Sequence, residues 1–435
     1  MGRNSQSFPK NLRRDLNGDI HVALLGFGTV GKGVYETIKS HQVRLKAILG
    51  KNVKVAAILV RDVEKHQVQD DDILLTSNFN DILNLPKLDV VIEAIVGREP
   101  GYTYLKKSIE KGCHIITANK EMFAYHGSEL LEHASRYHVA CGFEATVAGG
   151  IPAIQTVRTL LNVNKIIRIE GIVNGTSNYI LSKMRVEGVS FHKALQAAQD
   201  KGYAEADPSS DIEGYDAFYK AMVLSQIAFG KQPEWQRVTR KGISGISYSQ
   251  IRLFSEWGLR VKHVISLEKG TRGISCSVKP VLVAPSNPLY SVEGVQNAVS
   301  IDADIVGNIT LQGPGAGKFP TASAIVEDLI QLNPKQGCYF EGKENVRFKK
   351  APLQKWVVLT KQTNLFTSGS FEVIAIAPEK AVIVKGKEKD IDKLLEVNPG
   401  LKIYQLYGHI SKGFTENTQH NDTSVRRKVA VPEGI

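Results

Sequence analysis

Cysteine is scarce in this sequence of 435 residues: Cys113, Cys141, Cys276 and Cys338 lie far apart and form no C-x-x-C pair. Such spacing excludes a disulfide framework or a thiolate zinc site and fits a reducing cytoplasm. No uninterrupted apolar run approaches the ~20 residues needed to cross a bilayer. The opening stretch M-G-R-N-S-Q-S-F-P-K has basic residues with no apolar segment behind them, so it reads as neither signal peptide nor membrane anchor. Helix-turn-helix, zinc-finger and RNP signatures are also missing. Lys and Arg are scattered among acids, so the net charge of +11 points to anionic ligands rather than nucleic acid. What remains, 42% hydrophobic and 23% charged, is an ordinary globular composition, and its length implies two or three domains.

The run I-H-V-A-L-L (Ile20–Leu25) is apolar enough for a buried parallel strand. Gly26-Phe27-Gly28-Thr29-Val30-Gly31 follows directly, and a helical pattern then continues to about Leu49. In that setting G-x-G-x-x-G is a dinucleotide-binding fingerprint. Gly26 permits the turn, Gly28 lets backbone approach a pyrophosphate, and Gly31 lets helix pack on strand. The helix start offers N–H groups to the phosphates. A second strand, 53–60, ends at Arg61-Asp62, where such domains read the adenosine ribose. Arg61 with Lys65 behind it favours NADP(H); Asp62 keeps NAD(H) possible. Further strands are expected at 88–96 and 113–117. The latter delivers Ala118-Asn119-Lys120 at its carboxyl end, where open α/β sheets bind ligands.

A helix is expected over 127–137, and then comes V-A-C-G-F-E-A-T-V-A-G-G-I-P. Cys141 as a nucleophile would make the chain an aldehyde-acylating, NADP-dependent semialdehyde dehydrogenase. A thiol inside an apolar strand, with no local activating partner, is normally inert. Glu144, beside a glycine-rich turn with inward carbonyls, suits a hard cation held by oxygen. From Ile151 the character changes. A helix over 152–161 and a strand over 166–173 lead to the polar turn Asn174-Gly175-Thr176-Ser177-Asn178.

Residues 202–220, G-Y-A-E-A-D-P-S-S-D-I-E-G-Y-D-A-F-Y-K, place Glu205, Asp207, Asp211, Glu213 and Asp216 ahead of Lys220. The pattern is helical from Tyr215, which puts Asp216 in the first turn and Lys220 one turn on along the same face. Two readings compete: a solvated acidic loop with an ordinary ion pair, or a pocket whose carboxylates hold an amine while Lys220 handles a proton. Gly313-Pro314-Gly315-Ala316-Gly317 then brings back a glycine-rich turn and helix start, able to close backbone over a nicotinamide or phosphate.

Taken in unbroken order over 20–332, G-F-G-T-V-G, T-A-N-K, E-A-T-V-A-G-G-I-P, N-G-T-S-N-Y-I-L, the acidic segment and G-P-G-A-G-K-F-P-T-A-S-A resemble the homoserine dehydrogenase family. The resemblance implies an α/β architecture: a Rossmann-type dinucleotide-binding domain over 20–150, completed by 311–332, and an α+β substrate-binding and dimerisation domain over 151–310. It also implies NAD(P)-dependent interconversion of L-homoserine and L-aspartate 4-semialdehyde, in threonine and methionine biosynthesis, by a cytoplasmic homodimer or homotetramer. Carried over by position, Lys220 matches the catalytic lysine and Lys120 the lysine near nicotinamide and substrate. Glu205 matches the carboxylate that binds the homoserine amine, with Asp211 and Asp216 lining the same pocket. Glu144, with backbone carbonyls of Val147, Gly149 and Ile151, matches a sodium (Na+) site. Gly317 matches a glycine that touches the cofactor. A non-catalytic, dinucleotide-sensing regulator is the competing reading from another class.

Many members of that family carry a C-terminal ACT domain arranged βαββαβ. Here a polar tail over 1–19 precedes the first domain, and a charged linker over 333–353 precedes residues 354–410, which read as β, a polar link, β, β, α, β. The first helix and its turn are missing, which implies a degenerate ACT-like module used for assembly rather than threonine sensing. The polar stretch 411–435 reads as a disordered tail.

Overall fold

Six short strands build the first sheet: β1 (Ile20–Leu25), β2 (Val53–Leu59), β3 (Leu74–Thr76), β4 (Val90–Glu93), β5 (His114–Thr117) and β6 (Cys141–Gly142). The computed structural model describes residues 18–68, 70–270, 273–332, 353–360, 362–366, 370–377 and 381–409. The two expected tails and the linker therefore lie almost wholly outside the described residues. The first sheet is parallel throughout, in the order β3-β2-β1-β4-β5-β6. The order reverses between β1 and β4, so a crevice for ligand is expected at their carboxyl ends. Both faces need cover, which explains why Val22, Leu24, Ile58, Val90, Ile92 and Ile116 are all buried. Val34 and Ile38 of helix Thr29–Ser40, with Ala322, Ile325 and Leu329 of helix Lys318–Gln331, join that core.

Three expected helices differ, the one at 152–161 being a short α-helical turn, Ala153–Gln155, that continues as a π-helical turn, Thr156–Leu160. The pattern expected to run to Leu49 is two helices, Thr29–Ser40 and Gln42–Leu49, split at His41 (φ −110°, ψ 18°). The Ser40 hydroxyl donates back to the Glu36 carbonyl at 2.7 Å, the competition with backbone that makes serine a poor helix-interior residue. The helix expected at 127–137 begins seven residues earlier, at Lys120, and runs to Arg136. Asn119 caps it, its side-chain oxygen accepting from Met122 N–H at 3.0 Å.

The chain divides into two units. The first draws on Met1–Lys165, Tyr219–Gln232 and Gly313–Gly342, the second on Ile166–Phe218, Pro233–Gln312 and Lys343–Ile435. The second holds β7 (Ile166–Ile172), β8 (Thr239–Arg240), β9 (Arg260–Gly270), β10 (Gly273–Val283), β11 (Gln296–Ala303) and all but the last two residues of β12 (Gly307–Pro314). It continues with β13 (Gln354–Leu359), β14 (Glu372–Ala377), β15 (Ala381–Gly386) and β16 (Lys402–Tyr407). They form one mixed sheet, β12-β11-β7-β9-β10-β16-β13-β15-β14, with β8 beside β10.

The C-terminal strands thus extend the main sheet through a parallel β10–β16 pairing. Among themselves they are antiparallel and, counted from the first, ordered 4-1-3-2. Helix Glu388–Val397 joins β15 to β16, and among the described residues between β13 and β14 stands a tight turn, Thr363–Phe366. Val357, Ala381, Ile383 and Leu406 pack into one core with Ile180, Met184, Ile251 and Phe254. At about 1.5–3 kcal/mol per buried large apolar side chain, that core ties these strands firmly to the rest of the unit. No described helix is long and apolar enough to cross a membrane.

Candidate active site

In the first unit the chain leaves β1 at Leu25 and turns at Gly26, where φ is +100° and a Cβ would lie 2.7 Å from the Ala94 oxygen. A Cβ on Gly31 would meet the Gly26 oxygen at 2.1 Å, so the turn closes only without a side chain there. The packing expected of Gly31 falls in part to Gly33, whose Cβ would sit 2.6 Å from the Lys318 oxygen of the returning helix. Gly28 faces open space and caps Thr29–Ser40 without a side-chain bond. Unfilled N–H groups at this helix start, around Thr29 and Val30, form a ready anion site. Phe27 is buried edge-on against Tyr35 and His66.

Beyond β2, Arg61 is exposed and makes no ion pair among the described residues. Asp62 is occupied: it accepts from Glu64 N–H at 3.2 Å and pairs with Lys65 at 3.0 Å. In the returning segment, Gly317 (φ +121°) caps helix Lys318–Gln331. Just before it, the Pro314 carbonyl accepts from Gly150 N–H at 3.1 Å.

The carboxyl ends of β4 and β5 carry a network that sequence reasoning missed. Glu93 is fully buried. One carboxylate oxygen accepts from Thr117 Oγ1 at 2.5 Å and the other from Ile95 N–H at 2.6 Å. Asn119 Nδ2 donates to the carbonyls of Gly97 (2.7 Å) and Ile95 (3.0 Å). Burial pushes the Glu93 carboxyl up to about 7, against the opposing pull of these bonds. The signal was present: a carboxylate within the apolar run V-V-I-E-A-I-V is costly unless bonded. This network fixes the start of the helix whose first residue is Lys120. A lysine in the first turn of a helix opposes the helix dipole, an effect of roughly 0.3–1 kcal/mol.

Glu144 is buried, and its two carboxylate oxygens accept from Ile154 N–H (2.9 Å) and Gln155 N–H (2.7 Å) at a helix start. Its own N–H donates to Asp328 Oδ2 at 2.8 Å. Burial pushes both carboxyls up to about 7. Past Val147, Ala148 and Gly149 both adopt left-handed backbone (φ +55° and +57°) before Ile151. A Cβ on Gly149 would lie 2.4 Å from the Gly315 carbonyl, so the turn and the returning segment meet backbone to backbone. No cluster of three or more His, Cys, Asp or Glu able to hold a metal occurs among the described residues. Cys141 is half-buried on β6.

In the second unit the acidic segment separates into distinct roles. Glu205 is exposed. Asp207 accepts from Ser209 N–H and Oγ, which hold its carboxyl below the ordinary range, so it is a turn former. One helical turn, Ser209–Ile212, carries Asp211, and Gly214 (φ +81°) resets the chain before helix Tyr215–Phe229. A Cβ on Gly214 would press on the buried His263 ring at 3.0 Å. Asp216 and, one turn on in the part of that helix that belongs to the first unit, Lys220 are 4% and 9% exposed, so neither belongs to a solvated loop. Asp211 Oδ1 and Asp216 Oδ2 both accept from Asn174 Nδ2, at 2.7 and 2.8 Å. Asn174 begins helix Gly175–Glu187, which replaces much of the expected polar turn.

Two family models match this chain: a homoserine dehydrogenase NAD-binding domain over residues 26–144 and homoserine dehydrogenase over residues 152–330. The homoserine dehydrogenase of Bacillus subtilis is 40% identical over 314 residues, covering 72% of each chain. That of Lactococcus lactis is 36% identical over 316 residues, 72% of this chain and 74% of its own. Among solved structures, a homoserine dehydrogenase from Thiobacillus denitrificans superposes with a TM-score of 0.81 at 32% identity, over 90% of this chain and 99% of that one. A hyperthermophilic archaeal homoserine dehydrogenase in complex with NADPH gives 0.64 at 30% identity, over 74% and 99%. With its parallel Rossmann-like sheet, its glycine turn and this likeness over both halves, the chain belongs to the homoserine dehydrogenase family, nicotinamide-dependent oxidoreductases acting on a CH–OH group.

Proposed function

We propose that Lys220 is the proton donor and acceptor of the homoserine–aspartate semialdehyde interconversion, with Lys120 as the positioning cation. The observation that carries this is the burial of Lys220 one helical turn from buried Asp216. Removing a charged lysine from water is costly without a partner or a task. Bound nicotinamide supplies or takes the hydride, and the chain's own residues supply placement and charge. When the aldehyde is reduced, charge develops on its oxygen; an ammonium stabilises that alkoxide and then protonates it. When homoserine is oxidised, the same amine takes the hydroxyl proton. Glu205, exposed and acceptor-only, recognises the substrate ammonium, and Asp211 and Asp216 line the same pocket.

NADP(H) is the preferred cofactor and NAD(H) the alternative. Gly26, Phe27, Gly28, Thr29, Val30 and Gly31 offer backbone to the pyrophosphate, and Gly317 does so from the returning segment. Free, exposed Arg61 beside an Asp62 already held by Lys65 supports a 2′-phosphate. The archaeal relative bound to NADPH is consistent with that choice. The turn from Glu144 through Val147 and Gly149 to Ile151 holds sodium through oxygen donors. The Glu144 carboxylate braces the turn by capping the next helix.

The chain acts as a cytoplasmic homodimer or homotetramer in threonine and methionine biosynthesis. The 4-1-3-2 strand order supports a degenerate ACT-like module, and its shared core supports a role in assembly. Membership of this family leaves the Cys141 semialdehyde dehydrogenase and the non-catalytic regulator without support. Homoserine oxidation at alkaline pH, with NADP⁺ and NAD⁺ side by side, tests the cofactor reading. A higher kcat/KM with NAD⁺ overturns it.

A further inference from the structure

We propose that Asn174 is a positioning residue that holds Asp211 and Asp216 in register with a single side-chain amide. The inference rests on the reading of those two acids as site residues. They come from different elements: Asp211 from the turn Ser209–Ile212, Asp216 from helix Tyr215–Phe229, with left-handed Gly214 between. Local backbone geometry alone does not bring two such carboxylates together. Asn174 Nδ2 has two hydrogens, and they go to Asp211 Oδ1 at 2.7 Å and Asp216 Oδ2 at 2.8 Å. Its Oδ1 accepts from Ser177 N–H at 2.8 Å and so caps helix Gly175–Glu187. Only this orientation of the amide satisfies all three neighbours, because the flipped one would set an oxygen against two carboxylates.

The surroundings hold the clamp still. Asn174 is 6% exposed and Asp216 4%, so water competes little for the bond between them, while Asp211 is half-buried. Ser177 Oγ donates to the Asp211 carbonyl at 2.8 Å, and Thr176 Oγ1 to the Tyr203 carbonyl at 2.6 Å, anchoring the acidic segment to the same helix start. Sharing one nitrogen places the two carboxylate oxygens within about 5.5 Å of each other, where like charges repel unless donors intervene. Asparagine alone combines a cap oxygen with two donors at this reach: serine can cap but not bridge, and aspartate would add a third negative charge.

Substitution can therefore separate capping from clamping. Asn174→Ser and Asn174→Asp both keep a cap oxygen and remove the NH₂ group that bridges the two carboxylates. In the full-length enzyme, Asn174→Ser should lower kcat/KM for homoserine by about 10–100-fold. KM for the dinucleotide should stay within about twofold and the unfolding temperature within about 3 °C, the expected pattern when the cap survives. Asn174→Asp should be more severe. In a chain already carrying Asp211→Asn and Asp216→Asn, Asn174→Ser should cost less than about threefold further, since coupled residues are not additive. Homoserine kinetics within threefold of wild type for Asn174→Ser would overturn the inference, as would equal losses for both substrates with a lowered unfolding temperature. If the two aspartate variants are impaired and Asn174→Ser is not, the inference fails while the site reading stands. If the aspartate variants are fully active and Asn174→Ser is impaired, both fail.

Discussion

Replacing Glu93 with glutamine removes a carboxyl that is wholly buried at the carboxyl end of β4 and bonded to Thr117 and Ile95. Burial raises that carboxyl from an ordinary 4.5 to about 7. The folded chain therefore holds the proton more tightly than the unfolded chain. Its contribution to stability is fully present below pH 4.5 and is lost as pH rises through 7. The difference is worth about 3 kcal/mol, most of it falling between pH 5 and pH 8. Glu144 and Asp328, also raised to about 7 by burial, act with the same sign over the same range. Wild type should thus weaken between pH 5 and pH 8, and Glu93→Gln should weaken less, by roughly 2–3 kcal/mol. Urea unfolding at the two pH values, followed by far-ultraviolet circular dichroism, measures this directly. An identical pH dependence in wild type and Glu93→Gln would refute the assignment of a buried, proton-holding carboxyl.

Three further substitutions probe the ligand contacts. Glu205→Ala should raise KM for homoserine by about 10-fold or more with little change in KM for the dinucleotide, since it removes one ammonium partner; steady-state kinetics with each substrate varied will show it. Arg61→Ala should weaken NADP⁺ by about 10-fold and leave NAD⁺ nearly unchanged, as measured by the two kcat/KM values. Gly31→Ala forces a Cβ to 2.1 Å from the Gly26 oxygen, so dinucleotide binding in a fluorescence titration should be lost or fall by more than about 10-fold. Intact binding by that variant would contradict the turn described here.

Much of the first unit was legible because its signals are local. An apolar run, a glycine turn and a helix start follow one another within 20–31, and their chemistry needs no distant partner. Lys120 was placed correctly at a strand end, yet the helix that begins with it was expected seven residues later. Asn119 as a cap is visible only once its hydrogen-bonding partners are known. Glu93 was passed over because a single carboxylate in a strand carries no spacing pattern; its partners Thr117 and Asn119 are more than 20 residues away. Asn174 was read as part of a polar turn, since its bonds to Asp211 and Asp216 span 37 and 42 residues. The order of the C-terminal elements, strand, turn, strand, strand, helix, strand, is legible in their local patterns. Their continuity with the main sheet depends on a β10–β16 register that no local pattern encodes.

The most direct test of the account is the turnover of Lys220→Ala in homoserine oxidation with NADP⁺ at saturating substrates. A buried lysine that transfers the proton should cost about 10²–10⁴-fold in kcat when removed, with KM for the dinucleotide little changed. A kcat within a few-fold of wild type would contradict the account, leaving Lys220 as a buried structural residue.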